Sequence, residues 1–246
     1  MTALARLTAT ETILFFRDPL NVAFVLTFPP VLIVIFGVIP AFREPAASLD
    51  GLRVIDLYAP IVVAVAIATI ALTTLPPLLA SYRERGVLRR MQTTPVRPLT
   101  LLTGQVLMSS GIAAVTALVV LAIAALAFGV PLPRQPLAYL LAFALTASAM
   151  FAIGLLVGTL APTGTSATAL GMVVYFPVLF FAGLWIPRTS MNDTLRTISD
   201  FTPLGAGAQA LQDAASGQWP QVLHVAVILG WTIVAGALAA RYFRWE

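Results

Sequence analysis

The chain has 246 residues, of which 59% are hydrophobic and only 10% charged, with a formal net charge of +4. A water-soluble domain carries about 25% charged residues, so this chain lacks the polar surface to cover itself in water, and its mean hydropathy of +0.95 makes the bilayer its solvent. The absence of cysteine removes thiol catalysis, Cys-based zinc sites and disulfides, and a pI of ≈ 10.1 on so small a net charge signals topology rather than nucleic-acid binding.

In chain order, 1–18 reads as an amphipathic helix lying in the membrane interface, its apolar face made by Leu4, Leu7 and Leu14. It lacks the apolar core of a cleavable signal peptide. A helix needs about 20 apolar residues to cross the hydrocarbon core. Leu20 to Ala41 is free of charge and supplies the first span, and 57–80 supplies the second. A charged island follows. The third span is placed at 102–129, most apolar from Gly111 to Val130. Gln135 to Pro187 runs 53 residues without a charge, too long for one helix and right for two. The turn residues from Gly158 to Thr165 divide it into spans at 137–159 and 166–186. An external segment, 188–218, holds two short helices broken at Phe201-Thr202-Pro203-Leu204-Gly205. The sixth span is placed at 221–240. The expected fold is one all-α membrane domain of six transmembrane helices.

Six spans put both termini on one side. With the amino terminus cytoplasmic, Arg6, Arg17, Arg83, Arg85, Arg89, Arg90, Arg97, Arg241 and Arg244 lie inside, and Arg43, Arg53, Arg134, Arg188 and Arg196 lie outside. Nine against five favours that orientation under the positive-inside rule. Trp185, Trp219 and Trp245 fall near span ends, as interfacial aromatics do.

The spans carry almost no ionisable groups. His224 is the one candidate within them, and Asp56 stands at the outer mouth of the second. A gradient-driven secondary transporter or channel, the alternative reading, needs buried carboxylates or unwound coordinating helices near the midplane. Here the midplane is Ala, Val, Leu, Ile, Phe and Thr. His224 reads either as a proton relay or as a helix-end histidine at headgroup level. A phosphate-binding Gly-x-x-x-x-Gly-Lys loop is impossible without lysine, and one histidine excludes His-Glu-x-x-His. Ser109, Ser110 and Ser148 lack a base and read as packing residues. Gly154-x-x-x-Gly158 is a small-residue pair on the fourth span, a packing face or a dimer contact. No catalytic, cofactor-binding or metal-binding residue is identified.

The island runs Ser81-Tyr82-Arg83-Glu84-Arg85-Gly86-Val87-Leu88-Arg89-Arg90-Met91-Gln92-Thr93-Thr94-Pro95-Val96-Arg97-Pro98 and holds five of the 14 arginines. Residues 82–93 read as one short helix, ended before Pro95. Glu84, Val87, Leu88 and Met91 share one face, and Arg85, Arg89 and Gln92 the other. Two readings stand: a positive-inside loop on anionic headgroups, or a rigid lever seated in a groove of a cytoplasmic partner.

The wording of the island resembles the coupling-helix segment of ABC exporter permeases of the type-two class, which export drugs, lipids and polysaccharides. Arg83-Glu84-Arg85-Gly86 and Thr94-Pro95 match that pattern, while Arg89-Arg90 stands where the family often has acidic residues. Phe16-Arg17-Asp18-Pro19 with Pro29-Pro30, and Phe201-Thr202-Pro203-Leu204 followed by Ala210-Leu211-Gln212, are similar to its amino-terminal and external segments. The resemblance implies a transport subunit of the bacterial cell membrane that pairs with a second permease and is not itself an enzyme. Separate ATPase subunits, which bind ATP and Mg, would dock on the coupling helix through Arg83, Glu84, Arg85, Gly86, Leu88, Arg89 and Arg90. Glu84 and Arg85 would fix register, and Gly86 would permit close backbone approach. A cargo pathway nearly free of charge suits hydrophobic or amphipathic molecules, with Tyr175, Phe176 and Phe180 as candidate lining or, with Phe181, as packing residues.

Overall fold

The computed structural model describes residues 3–45, 51–87 and 98–243. Its architecture is helical throughout, with no strand among the described residues. Six helices are long and apolar enough to cross a membrane. The chain is therefore an all-α protein of six candidate spans.

Helix α1 (Ala3–Phe16) precedes the first span and packs along the third. Its buried face is formed by Glu11 and Phe15, with Leu7 partly covered, while Leu14 is exposed. The apolar face expected through Leu14 is thus rotated, because a polar pairing of Glu11, described below, fixes the helix instead. The first span is α2 (Pro19–Val38), capped by Asp18 accepting from the Asn21 N–H at 3.2 Å and opened by proline at its first position.

The second span runs from Val54 to Glu84 in three pieces: α3 (Val54–Thr69), a π-helical segment (Ile70–Thr74) and α4 (Leu75–Glu84). The sequence explains the break. Pro76 and Pro77 have no N–H, so the carbonyls four residues earlier, Leu72 and Thr73, lose their usual donors. The ladder widens, and the Leu75 N–H reaches back five residues to the Ile70 carbonyl. This span is the hub of the bundle. Of its apolar window 83% is buried within the chain, against 22% for the first and sixth spans.

The remaining spans wrap it. They are α5 (Pro98–Phe128), α6 (Pro136–Leu160), α7 (Gly164–Phe181) and α10 (Val222–Tyr242). Helix α10 lies along α6, and α7 packs on α4. Between α7 and α10 come two short helices, α8 (Asp193–Phe201) and α9 (Pro203–Ser216). Helix α9 dips into the bundle, buried against α3, α6 and α10. Its small residues, among them Ala206, Ala208, Ala210 and Ala214, allow that insertion.

The closest helix contacts meet at the π segment. A Cβ on Gly154 of α6 would stand 2.1 Å from the Ala71 carbonyl oxygen, and one on Gly171 of α7 would stand 2.2 Å from that of Leu72. Gly158 likewise faces Pro76. The Gly154–Gly158 pair therefore packs within the chain, against the second span.

Gly154→Ala is expected to lower stability by roughly 1–3 kcal/mol through overpacking against a backbone that cannot yield. Gly230→Ala, where a Cβ meets open space, is expected to leave stability unchanged or slightly raised. Thermal unfolding of the detergent-solubilised variants checks both.

Candidate functional site

The site sits where the second span ends. Arg85 and Gly86 close α4: the Arg85 N–H donates to the Ser81 carbonyl and the Gly86 N–H to that of Arg83, both at 3.0 Å. Gly86 has φ +66°, the left-handed conformation that stops a helix and favours glycine. Nothing lies within 4 Å of where its Cβ would be, so termination explains this glycine without any close backbone neighbour in the chain. Tyr82, Arg83 and Glu84 complete the long second-span helix, and the turn at Arg85–Gly86 interrupts the single helix expected over 82–93. Leu88, Arg89 and Arg90, with the rest of 88–97, lie outside the described residues.

Three consecutive residues tie α4 to three different elements. Successive helical side chains point about 100° apart, so Tyr82, Arg83 and Glu84 fan out. The Tyr82 hydroxyl donates to both carboxylate oxygens of Glu11 in α1, at 3.0 and 3.1 Å. Arg83 donates from Nη1 to the Thr159 carbonyl at 2.9 Å and from Nη2 to the Ala161 carbonyl. Those carbonyls belong to the end of α6, where helix groups are otherwise unsatisfied and the dipole is negative. Glu84 accepts from the Gly164 N–H at 3.1 Å. Gly164 is the first residue of α7, where N–H groups are unsatisfied and the dipole is positive. Adjacent opposite charges thus span the α6–α7 turn, each on the helix end of opposite sign. The Thr163–Ser166 capping box holds the turn itself.

Glu11 is 4% exposed. Burial pushes its pKa up, and the hydrogen bond from Tyr82 and the neighbouring Gln105 amide oppose that shift without cancelling it. Arg85 is exposed and its charge acts on Tyr82. A cleft of ≈ 740 Å³ opens between the end of α4 and the start of α7, lined by Glu84, Arg85, Gly164 and Thr168 among others. Glu84 and Arg85, expected to set register with a partner, therefore stand on an accessible surface, but Glu84 already holds α7.

Of the candidate pathway residues, Tyr175 is 2% exposed and its hydroxyl shares a 2.8 Å hydrogen bond with Thr69. It locks the fifth span to the second, inside the chain's own core. Phe176 faces outward, and Phe180 is half-buried edge-on to Phe181. The three do not line one surface.

At the opposite end, Arg53 repeats the role of Arg83. Its Nη1 and Nη2 donate to the Phe128 and Gly129 carbonyls at 3.0 and 2.9 Å, closing α5, while Asp56 pairs with it at 2.7 Å. His224 is 3% exposed, its Nε2 3.1 Å from Asp200, and Asp200 is held by Arg188. Burial works against charge on Asp200, but the Arg188 and His224 hydrogen bonds outweigh it and keep its pKa below the usual range. His224 is the third residue of the sixth-span helix, so it stands at a helix end. It joins the sixth span to α8. Its spacing from Asp200 gave no local sequence signal.

No group of three or more metal-ligating side chains occurs among the described residues. Six helices long and apolar enough to span a membrane, packed around a central helix anchored at both ends, describe a polytopic membrane domain. Residues 2–215 match the ABC-2 type transporter family, and the chain belongs to that family as its membrane-spanning permease. A comparison with curated proteins finds no match.

Arg83→Gln leaves α6 carbonyls without a charged donor, and a loss of about 1–2 kcal/mol is expected. Faster hydrogen exchange around the α6–α7 turn would accompany it. Because burial raises the Glu11 pKa above its unfolded value, its contribution to stability is fully present below pH 4.5 and is lost as pH rises through the raised value. Glu11→Gln should remove that component, read as the difference in pH dependence of unfolding between wild type and variant.

Proposed function

We propose that this permease works as one half of an ATP-driven exporter. Two such chains, or this chain and a paralogue, would form the cargo pathway, and two cytoplasmic ABC ATPases, carrying ATP and Mg, would dock at the end bearing residues 82–97. The termini would be cytoplasmic in a bacterial cell membrane, an orientation supported by nine arginines on that side against five on the other.

One observation carries this reading: the helix that leads into the arginine-rich island is bonded, through Tyr82, Arg83 and Glu84, to α1, α6 and α7 at once. A push on the island would reach the fourth and fifth spans through adjacent residues, with no slack loop between. ATP-driven closure of the ATPase pair would bias the bundle between two arrangements, the energy coming from nucleotide contacts in the partner. Arg85, exposed beside the Gly86 turn, would face the partner. The nearly uncharged spans suit hydrophobic or amphipathic cargo such as a drug, lipid or lipid-linked glycan.

Co-expression with an ABC ATPase encoded beside it is expected to yield a copurifying complex. Arg85→Ala should weaken that complex. Glu84→Ala should leave it assembled but lower cargo moved per ATP hydrolysed several-fold, because α7 is released. The reading is overturned if no ATPase copurifies, or if both variants retain full coupled ATPase activity and transport.

A further inference from the structure

We propose that the cavity between α3, α8, α9 and the segment preceding α8 is a binding site for an anionic headgroup carrying an alkyl chain. The cavity measures ≈ 600 Å³ and lies at the end of the bundle opposite the Arg83–Glu84 site. Such a volume is within the range of small-molecule sites. Four elements build it, with Arg196 contributed by α8, and they divide by chemistry. Leu57 and Ile61, one turn apart on α3, give an apolar wall. Gln209 and Gln212, three residues apart on α9, face it with two carboxamides that make no hydrogen bond among the described residues. Arg188 and Arg196 bring guanidinium groups.

Asp200 pairs with Arg188 and neutralises it. The positive charge left to the cavity is that of Arg196, whose partner Asp193 is solvent-exposed and 3.8 Å away. Arg196 also has donors to spare. Of a guanidinium's five N–H groups, one is bonded, from Nη2 to the Met191 carbonyl at 3.2 Å. Fixed arginine and amide donors beside an apolar wall recognise a phosphate or carboxylate attached to a hydrocarbon chain. A free inorganic anion would leave Leu57 and Ile61 unused, and a neutral hydrocarbon would leave the spare Arg196 donors and the two carboxamides unused.

The site stands independently of ATPase coupling, so its test uses the full-length chain alone. The chain has no cysteine, so Thr189→Cys, on the cavity rim, gives a unique position for an environment-sensitive fluorophore. The labelled chain in phosphatidylcholine nanodiscs is titrated with dodecyl phosphate and, separately, with dodecanol. Saturable binding of dodecyl phosphate only is expected. Arg196→Gln, whose surface ion pair contributes little to folding, should weaken it about tenfold. Gln209→Trp should abolish it by filling the space, with the thermal midpoint of each variant confirming the fold. Equal response to dodecanol, or unchanged affinity in Arg196→Gln, overturns the proposal. Replacing part of the phosphatidylcholine with phosphatidylglycerol distinguishes the source. Competition identifies a two-chain bilayer lipid as an occupant, and its absence a single-chain amphipath; either upholds the anionic site.

Discussion

The second span is held at both ends by an arginine seated on the carbonyl end of a neighbouring span, and the rest of the bundle is arranged around that helix. Arg53 closes α5 and Arg83 closes α6. A helix end near hydrocarbon cannot leave its last carbonyls bare. Here each is satisfied by a cation from the same central helix, so the polar requirement of one span becomes the anchor of another. Glu84 completes the arrangement by taking the amino end of α7. The fourth and fifth spans are thereby attached to the second through charges one residue apart.

A helix pinned at both ends would be stiff if its middle were regular. Its middle is the π segment, created by Pro76 and Pro77, and its widened turn presents the Ala71 and Leu72 carbonyls to Gly154 and Gly171. Glycine at these places lets α6 and α7 approach the backbone itself. The contact is close, backbone against backbone, and the side chains of Ile70, Leu72 and Leu75 are fully buried around it.

The six spans were legible in the sequence because each is a charge-free run whose membrane preference needs no partner. The division of 135–187 at its glycine and proline turn was legible for the same local reason. The site was legible only as a location. Arg83, Glu84 and Gly86 stood out as a charged interruption, but their roles depend on partners far along the chain: Glu11 is 71 residues from Tyr82, and Thr159 is 76 from Arg83. One sequence shows no such pairings. The extension of the second span to Glu84 was hidden because its charged residues read as the start of a separate short helix over 82–93, whereas their charges are met by helix ends. The packing role of Tyr175 was hidden for a related reason. An aromatic in an apolar run does not reveal that its hydroxyl meets Thr69.

The polar groups also divide by end, and that division bears on how transport is organised. At the end of Arg83, hydrogen bonds join different spans, so movement of one is felt by the others. At the end of Arg188, Asp200 and His224, they join the short helices α8 and α9 to the sixth span. Helix α9 enters the bundle there on a surface of alanine and glycine, and Trp231 of the sixth span donates to the Phe201 carbonyl at its threshold. The π segment of the second span lies between these two groups, and α9 packs against α3 just beyond it. Packed backbone therefore runs from Glu84 to the far end of the same helix, where α3 forms one wall of the arginine-lined cavity.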